Sequence, residues 1–253
     1  MIARAHRTLR RCLLWLVLPA LGGGSAAAET PVIRWGLPES VSAVGGRIDH
    51  LFYVILWITG GVFVLVEATL LVFLIRYRQR PGRKAAYTHG DTRIEIIWTV
   101  VPAIIMVWLA LTSQQLWSEV RSPGRFPAGA MEVVVTGEQF AWNFRYPGAD
   151  GRLGTADDDT TLNQLHPPVG QPVIVRLKPK DGIHSFFLPQ FRMKQDAVPG
   201  MTGRIWLQAA KTGHWEIACA ELCGLGHYRM KGFLTVETPE ELAQWLAATK
   251  AAE

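Results

Sequence analysis

Residues 215–236 read WEIACAELCGLGHYRMKGFLTV, and this stretch decides the fold around it. It begins with Trp215 to Ala218 and ends with Gly232 to Val236, two short runs of aromatic and β-branched residues. Runs of this composition are typical of β-strands. The stretch therefore predicts two strands joined by a loop, and that loop contains two cysteines, a histidine and a methionine.

The loop groups soft metal ligands within twelve residues, namely Cys219, Cys223, His227 and Met230. Thiolate, imidazole and thioether groups together suit copper. A single blue-copper centre uses one cysteine, so the second thiolate favours two copper ions that the sulfurs bridge. Two ions need further ligands, and His184 is the best candidate because it opens a loop after a predicted strand, among apolar residues.

Two other interpretations of the cysteines are a disulfide and a zinc site. A disulfide is natural in an oxidising compartment, and the spacing of Cys219 and Cys223 permits one. Zinc is disfavoured because methionine is a poor zinc ligand. The flanking histidine and methionine favour copper over both. Two further histidines, His166 and His214, are expected at the surface.

Strand-like runs recur on the N-terminal side of the loop, separated by Pro-Gly, Asp-Gly and Thr-Gly turns. All the predicted strands are Glu132 to Thr136, Phe140 to Tyr146, Val173 to Leu177, Arg204 to Leu207, Trp215 to Ala218 and Gly232 to Val236. The pattern predicts a small antiparallel sandwich or barrel. After it, Thr238-Pro-Glu-Glu241 is a capping box that opens a helix through Lys250.

An acidic loop within the β region contains Asp150, Asp157, Asp158 and Asp159 among glycines. Carboxylates are ligands for Ca²⁺, but their spacing is not that of an EF-hand. We therefore expect a solvated turn rather than a cation site.

Two apolar runs precede the β region. The first is Leu51 to Ile75, and the second is Ile96 to Leu111, which extends toward Trp117. Each is long enough to cross a hydrocarbon core of ~30 Å as a helix, the second with its polar flank included. The sequence therefore predicts a transmembrane hairpin with spans at about 51–75 and 96–117.

Charges along the chain predict the orientation of this hairpin. Residues 76–93 contain six basic residues and one acidic residue, and so short a basic loop stays in the cytoplasm. Residues 1–28 have the basic, apolar and Ala-x-Ala order of a signal peptide. Residues 29–118 are then the N-terminal segment and anchor, and residues 119–253 a periplasmic domain. We expect a multi-pass protein of a bacterial inner membrane with both mature termini outside.

The overall composition agrees with a membrane protein and excludes other classes. Only 19% of the residues are charged and 49% are hydrophobic, which excludes disorder and disfavours an ordinary soluble domain. The formal net charge of +5 at first suggests a nucleic-acid partner. Residues 119–253, however, have fourteen basic and fifteen acidic residues, so we expect none.

The ligand loop matches a known motif, C-x-E-x-C-x3-H-x2-M, and His184-Ser185 matches the His-Ser that precedes it in the same family. With the two-span anchor, residues 29–253 resemble subunit 2 of cytochrome c oxidase, the copper-bearing subunit of haem-copper oxidases. The resemblance implies a cupredoxin-like Greek-key domain with a binuclear CuA centre. It also implies a function, which is to accept electrons from cytochrome c and pass them to haem-bearing subunit 1, among further oxidase subunits. That partner reduces oxygen to water with proton translocation.

The resemblance also implies the copper ligands. They are His184, Cys219, Cys223, His227, Met230 and the backbone carbonyl of Glu221. The two cysteines would bridge the ions. His184 and Met230 would complete one ion, and His227 and the carbonyl would complete the other.

Three further roles follow from the resemblance. The Glu221 side chain would reach a Mg²⁺ ion shared with subunit 1, and Glu95 would lie at the cytoplasmic mouth of a proton channel. The family often has Gln-Trp-x-Trp where this chain has Gln-Phe-Ala-Trp at residues 139–142. Phe140 thus takes the place of the indole that usually receives the electron. Trp142 is the alternative, although both rings also suit a sandwich core.

A second class of function is a membrane-anchored periplasmic protein that stores or delivers copper. Such a protein needs only one plain helix as its anchor. The two predicted spans, with Glu67 inside the first, favour the oxidase subunit.

Overall fold

The computed structural model describes residues 36–251, which begin with two long helices. Helix α1 is Gly45–Arg76 and helix α2 is Thr92–Arg121. Both are long and apolar enough to cross a membrane, and the predicted spans lie inside them. The predicted signal peptide, residues 1–28, lies outside the described residues.

Ion pairs join the outward ends of the two helices to each other and to the β domain. Arg47 of α1 lies 2.5 Å from Glu119 of α2. Arg192, between two strands, binds Asp49 of α1 through two contacts of 2.6 and 2.9 Å. The start of α1 and the end of α2 therefore lie beside the β domain, and the basic connection, residues 77–91, lies at the opposite end of the hairpin.

The helices leave their apolar side chains exposed within this chain. Examples are Trp57 and Ile75 of α1 and Met106 of α2. A helix of a soluble domain buries one apolar face, whereas these helices are apolar and unburied on all sides. This surface is of the kind that lipid and neighbouring membrane helices cover.

Ten strands follow α2 in the described chain and form two five-stranded sheets. They are β1 Met131–Glu138, β2 Ala141–Tyr146, β3 Asp159–Leu162, β4 Gln164–Leu165, β5 Pro172–Pro179, β6 His184–Leu188, β7 Met193–Ala197, β8 Gly203–Gln208, β9 Gly213–Cys219 and β10 Lys231–Val236. One sheet has the order β3-β2-β1-β5-β8, and the other has the order β4-β10-β9-β6-β7.

The predicted antiparallel sandwich or barrel differs from the structure at two strand pairs. Strand β1 pairs in parallel with β5, and β10 pairs in parallel with β4. Parallel neighbours need a long crossover connection, and the chain between β1 and β5, which includes β2 to β4, supplies one. Composition does not reveal this, because it identifies strands without their partners.

Four strands were not predicted: β3, β4, β6 and β7. The omission of β6 affects the site, because His184 is its first residue and was expected to open a loop. The signal was present in the run His-Ser-Phe-Phe-Leu, which a proline ends. Strand β7 was not predicted because the residues at its centre are polar.

Aromatic rings connect the two sheets in the core. Trp142 and Phe144 of β2 and Phe186 of β6 are fully buried. The Phe186 ring makes edge contacts with Trp142 at 5.4 Å and with Phe144 at 6.4 Å, measured between ring centroids. Buried aromatic pairs contribute more than their area alone. These contacts fix strand β2 to strand β6, the strand that begins with His184.

The C-terminal helix α3, Pro239–Ala251, begins at the predicted capping box. The backbone N–H of Glu241 donates to Thr238 Oγ1 at 3.2 Å, and the Thr238 N–H donates to Glu241 Oε2 at 2.8 Å. Both bonds are those expected of the motif, so the predicted helix start is confirmed.

His166 lies in the core beneath α3, and its predicted surface position is wrong. Its ring stacks on Trp245 at 3.6 Å, and Nδ1 lies 3.0 Å from Glu237 Oε2. Burial lowers the pKa of His166, and this effect exceeds the opposing effect of Glu237. His214 is exposed, as predicted. The contacts that bury His166 come from residues far along the chain, so its local sequence gave no sign of them.

We expect acid to weaken the packing beneath α3. Because the pKa of His166 is lowered in the folded state, the unfolded chain binds more protons once the pH falls below about 6.5. Stability should therefore fall progressively as the pH is lowered through this value. His166→Phe retains a stacking ring and removes the titrating group, so its unfolding temperature should depend less on pH.

Circular dichroism of the purified full chain in detergent measures this unfolding temperature. His89→Phe is the matched control, because His89 is exposed in the connection between the two long helices, and it should retain the pH dependence of the unmodified chain. The same pH dependence in His166→Phe as in the unmodified chain would contradict the account.

Candidate metal centre

The ligand loop, residues 219–230, connects β9 to β10, which pair antiparallel as predicted. The Cys219 N–H donates to the Met230 carbonyl at 3.2 Å and closes the loop at its base. The Ala220 N–H donates to the Ser185 carbonyl at 3.0 Å and joins the loop to β6. The loop is thus held by backbone bonds at the point where its ligands begin.

The donor atoms of the loop converge on Cys223. Both cysteines are free, and their Sγ atoms are 3.9 Å apart. Cys223 Sγ lies 3.7 Å from His227 Nδ1 and 3.6 Å from Met230 Sδ. Cys219 Sγ lies 3.3 Å from the carbonyl oxygen of Glu221. The predicted ligands of the loop therefore lie together, and the structure has no bond between the two sulfurs.

His184 brings a second imidazole to the sulfurs from β6. One ring nitrogen of His184 and the two Sγ atoms lie within 4.8 Å of one another. The ring is fully buried, and its Nδ1 has no hydrogen-bond partner. A buried polar atom without a partner is costly. A metal ion at this point would satisfy the nitrogen, so the residues present fit a soft metal centre.

Asp181 and Gln139 support the site, and the sequence did not reveal either. Asp181 Oδ1 lies 2.7 Å from His184 Nε2, and Asp181 Oδ2 accepts from the Gln139 N–H at 2.7 Å. Gln139 Nε2 donates to the Cys223 carbonyl at 2.5 Å. The two side chains thus link β6, the β1–β2 turn and the ligand loop. The three-residue spacing of Asp181 and His184 was the only available signal.

Charges at the site agree with this arrangement. Burial raises the pKa of Asp181, but hydrogen bonds from His184, Gln139 and Gly182 outweigh it and lower that pKa to about 2. The ionised carboxylate accepts, so the proton of His184 is on Nε2 and the lone pair is on Nδ1. Burial, together with the neighbouring Cys219, raises the pKa of Cys223. Ionisation of the Cys223 thiol is therefore disfavoured, and a bound cation would favour it.

Phe140 and Trp142 lie at different depths. A Cβ atom on Gly226 would come within 2.5 Å of the Phe140 ring, so Phe140 packs directly on the ligand loop and is partly exposed. Trp142 is fully buried, and its ring lies 6.0 Å from that of His184. Of the two candidate electron acceptors, Phe140 reaches the surface and Trp142 lies in the core beside His184.

The two predicted carboxylate sites lie apart from one another. Glu221 is exposed on the ligand loop. Glu95 lies in the first turn of α2, where its N–H donates to the Asp91 carbonyl, at the end of the hairpin opposite the metal centre.

The acidic loop uses its carboxylates in its own turn. Asp158 Oδ2 accepts from the Gly154 N–H at 2.7 Å, and Asp157 Oδ1 accepts from Thr155 Oγ1 at 2.7 Å. Asp159 is buried and lies 3.4 Å from Lys250 Nζ. The predicted turn is present, although Asp159 is not solvated.

We expect Gly226→Ala to strain the centre, because the new methyl group would overlap the Phe140 ring. Overpacking of this kind costs about 1–3 kcal/mol. Gly182→Ala is the matched control, since its methyl group would meet nothing within 4 Å. It should change stability by less than about 0.5 kcal/mol. Urea unfolding followed by tryptophan fluorescence measures both, and equal stability of the two variants would contradict the packing described.

Comparisons with known proteins found matches to both the helical part and the β domain of the chain. Residues 31–116 match the family model of the cytochrome C oxidase subunit II transmembrane domain, and residues 131–236 match that of its periplasmic domain. The alternative cytochrome c oxidase subunit 2 of Bradyrhizobium diazoefficiens is 33% identical, over 93% of this chain and 91% of its own. Cytochrome c oxidase subunit 2 of Thermostichus vulcanus is 31% identical, over 83% of this chain and 77% of its own.

A solved structure was also matched. It is the periplasmic domain of subunit II of cytochrome oxidase (CoxB) of Bradyrhizobium japonicum, which is 31% identical over 50% of this chain and 97% of its own, with a TM-score of 0.43. The predicted fold class, two apolar helices followed by a cupredoxin-like β domain and a C-terminal helix, is confirmed. The chain belongs to the cytochrome c oxidase subunit 2 family and is a membrane-anchored protein with a periplasmic domain.

Proposed function

We propose that this chain is the electron-accepting subunit of a haem-copper oxidase and takes electrons from cytochrome c at a binuclear CuA centre. The observation that carries the proposal is the cluster of two free, buried thiols 3.9 Å apart, with two imidazoles and a thioether around them. This donor set suits copper, and because a mononuclear blue-copper site uses one thiolate, the second thiol favours a pair of copper ions.

Six groups are proposed to hold the metal: His184, Cys219, Cys223, His227, Met230 and the carbonyl of Glu221. Copper bound by these residues would supply a one-electron acceptor. The protein contributes a fixed ligand loop. Hydrogen bonds from Gln139 and Asp181 hold Cys223 and His184 in place, so the ligands need to move little when the electron arrives.

Other residues are proposed to guide the electron and the partner subunits. Phe140 is partly exposed and packs on the ligand loop, so we assign it as the residue that meets the donor. Trp142 supports His184 from below. The exposed carboxylate of Glu221 is proposed to bind Mg²⁺ shared with haem-bearing subunit 1, since Mg²⁺ prefers oxygen ligands. Oxygen reduction itself belongs to that partner.

The first test is copper content. We expect the purified full chain to bind two copper ions with one unpaired electron shared by both, as measured by metal analysis and electron paramagnetic resonance. Cys223→Ser should abolish the shared spectrum because it removes a bridging thiolate. His214→Gln, at an exposed histidine outside the cluster, is the control and should retain it.

A single-copper spectrum, or a disulfide between Cys219 and Cys223 without copper, would contradict the proposal. The storage or delivery alternative is distinguished by purification from native membranes. A subunit of an oxidase should copurify with a haem-bearing large subunit, and a stand-alone copper carrier should not.

The second test concerns Glu95, which we propose lies at the cytoplasmic mouth of a proton channel. Glu95→Gln should slow oxygen consumption by the complete oxidase by about tenfold or more, because proton supply is impaired, and should leave the copper spectrum unchanged. Arg93→Gln is the control, because it tests the alternative that Glu95 acts only by pairing with the neighbouring Arg93. If Arg93→Gln slows the oxidase equally, the channel role is contradicted.

A further inference from the structure

The ligand loop presents apolar side chains to solvent. The exposed fractions are 98% for Leu225, 84% for Tyr228 and 77% for Leu222. Side chains this exposed contribute nothing to the core of the isolated chain, while large exposed apolar patches mark interaction surfaces. The loop therefore has an apolar surface directly over the metal cluster.

Leu225 and Phe140 belong to one continuous surface. Gly224 and Gly226, the neighbours of Leu225, both contact the Phe140 ring, since Cβ atoms there would lie 3.2 and 2.5 Å from it. Leu225 is also two residues from each of Cys223 and His227. We call this surface the Phe140–Leu225 face. A protein covering this face therefore lies against the loop that contains Cys223 and His227.

Three of the four carboxylates in the segments around this face are paired within the chain, and the fourth, Glu221, is the proposed Mg²⁺ ligand. Glu138 forms an ion pair with Lys180, and Asp181 binds His184. On the neighbouring strand β7, Asp196 lies 2.7 Å from Lys194 Nζ.

The bordering charges nearly cancel. The segments 137–141, 180–185, 194–196 and 219–230 contain three basic and four acidic residues, a net charge of −1. A surface with paired charges creates little long-range field to attract a charged partner.

We infer that the Phe140–Leu225 face docks an electron donor whose own contact surface is apolar and nearly uncharged around its redox centre. The inference rests on the proposed function and names the kind of donor. One electron leaves the reduced donor, which is oxidised, and the metal centre is reduced by that electron, with no transfer of atoms. Without opposite charges to guide the encounter, apolar contact supplies the affinity, so binding depends little on salt.

The test measures binding of oxidised soluble cytochromes c to the complete oxidase by surface plasmon resonance, so that no turnover is involved. One probe has a nearly uncharged surface around its haem edge, and the other has a strongly basic one. We expect the Kd of the nearly uncharged probe to change less than about threefold between low and physiological salt. The basic probe should bind no more tightly than the uncharged one at low salt.

Two variants locate the contact. Leu225→Asp places a charge in the apolar face and should raise the Kd of the nearly uncharged probe by about tenfold or more. Leu162→Asp is the matched control, because Leu162 is also an exposed leucine, 59% accessible, on the edge strand β3 outside the face. It should leave the Kd unchanged.

Three results would overturn the inference. They are a Kd that is unchanged in Leu225→Asp, tight binding of the basic probe that weakens more than tenfold with salt, and loss of the large subunit from purified Leu225→Asp oxidase. The last result would make the face a subunit contact. Copper content and spectrum are measured on the same samples, and their absence from the unmodified oxidase would contradict the proposed function instead.

Discussion

The structure depends on one unfavourable arrangement, two thiols and an imidazole nitrogen buried at one point without adequate partners. Burial raises the pKa of Cys223, and His184 Nδ1 has no hydrogen bond. Two thiolates this close in a low-dielectric interior repel one another, and an unpaired buried nitrogen costs free energy. A cation removes both penalties, because it neutralises the sulfurs and accepts the nitrogen lone pair.

The β domain holds this arrangement in place through four separate segments. His184 comes from β6, the cysteines from the β9–β10 loop, Gln139 from the β1–β2 turn and Asp181 from the β5–β6 turn. Hydrogen bonds join these segments, and aromatic contacts join β2 to β6. Contacts from both sheets therefore fix the positions of the candidate ligands. A site held by bonds from several segments moves little when its charge changes.

Local patterns in the sequence predicted the features that depend only on neighbouring residues. The ligand loop follows from its residue spacing, the two helices from hydropathy, and the start of α3 from its capping box. Pairing between distant segments could not be predicted from these local patterns. The parallel partners of β1 and β10, the burial of His166 beneath Trp245 and the bond from Asp181 to His184 depend on the assembled sheets. Phe140 was identified as a departure from the family pattern, but only the structure shows that it packs on Gly226.

We propose that Cys219 and Cys223 together bridge two metal ions. Copper X-ray absorption of the full chain, loaded with copper, tests it most directly because the method reports the neighbours of each copper atom. The account predicts scattering from sulfur, from imidazole nitrogen and from a second copper nearby. Sulfur and nitrogen scattering without any copper neighbour would show a mononuclear site and would contradict the account.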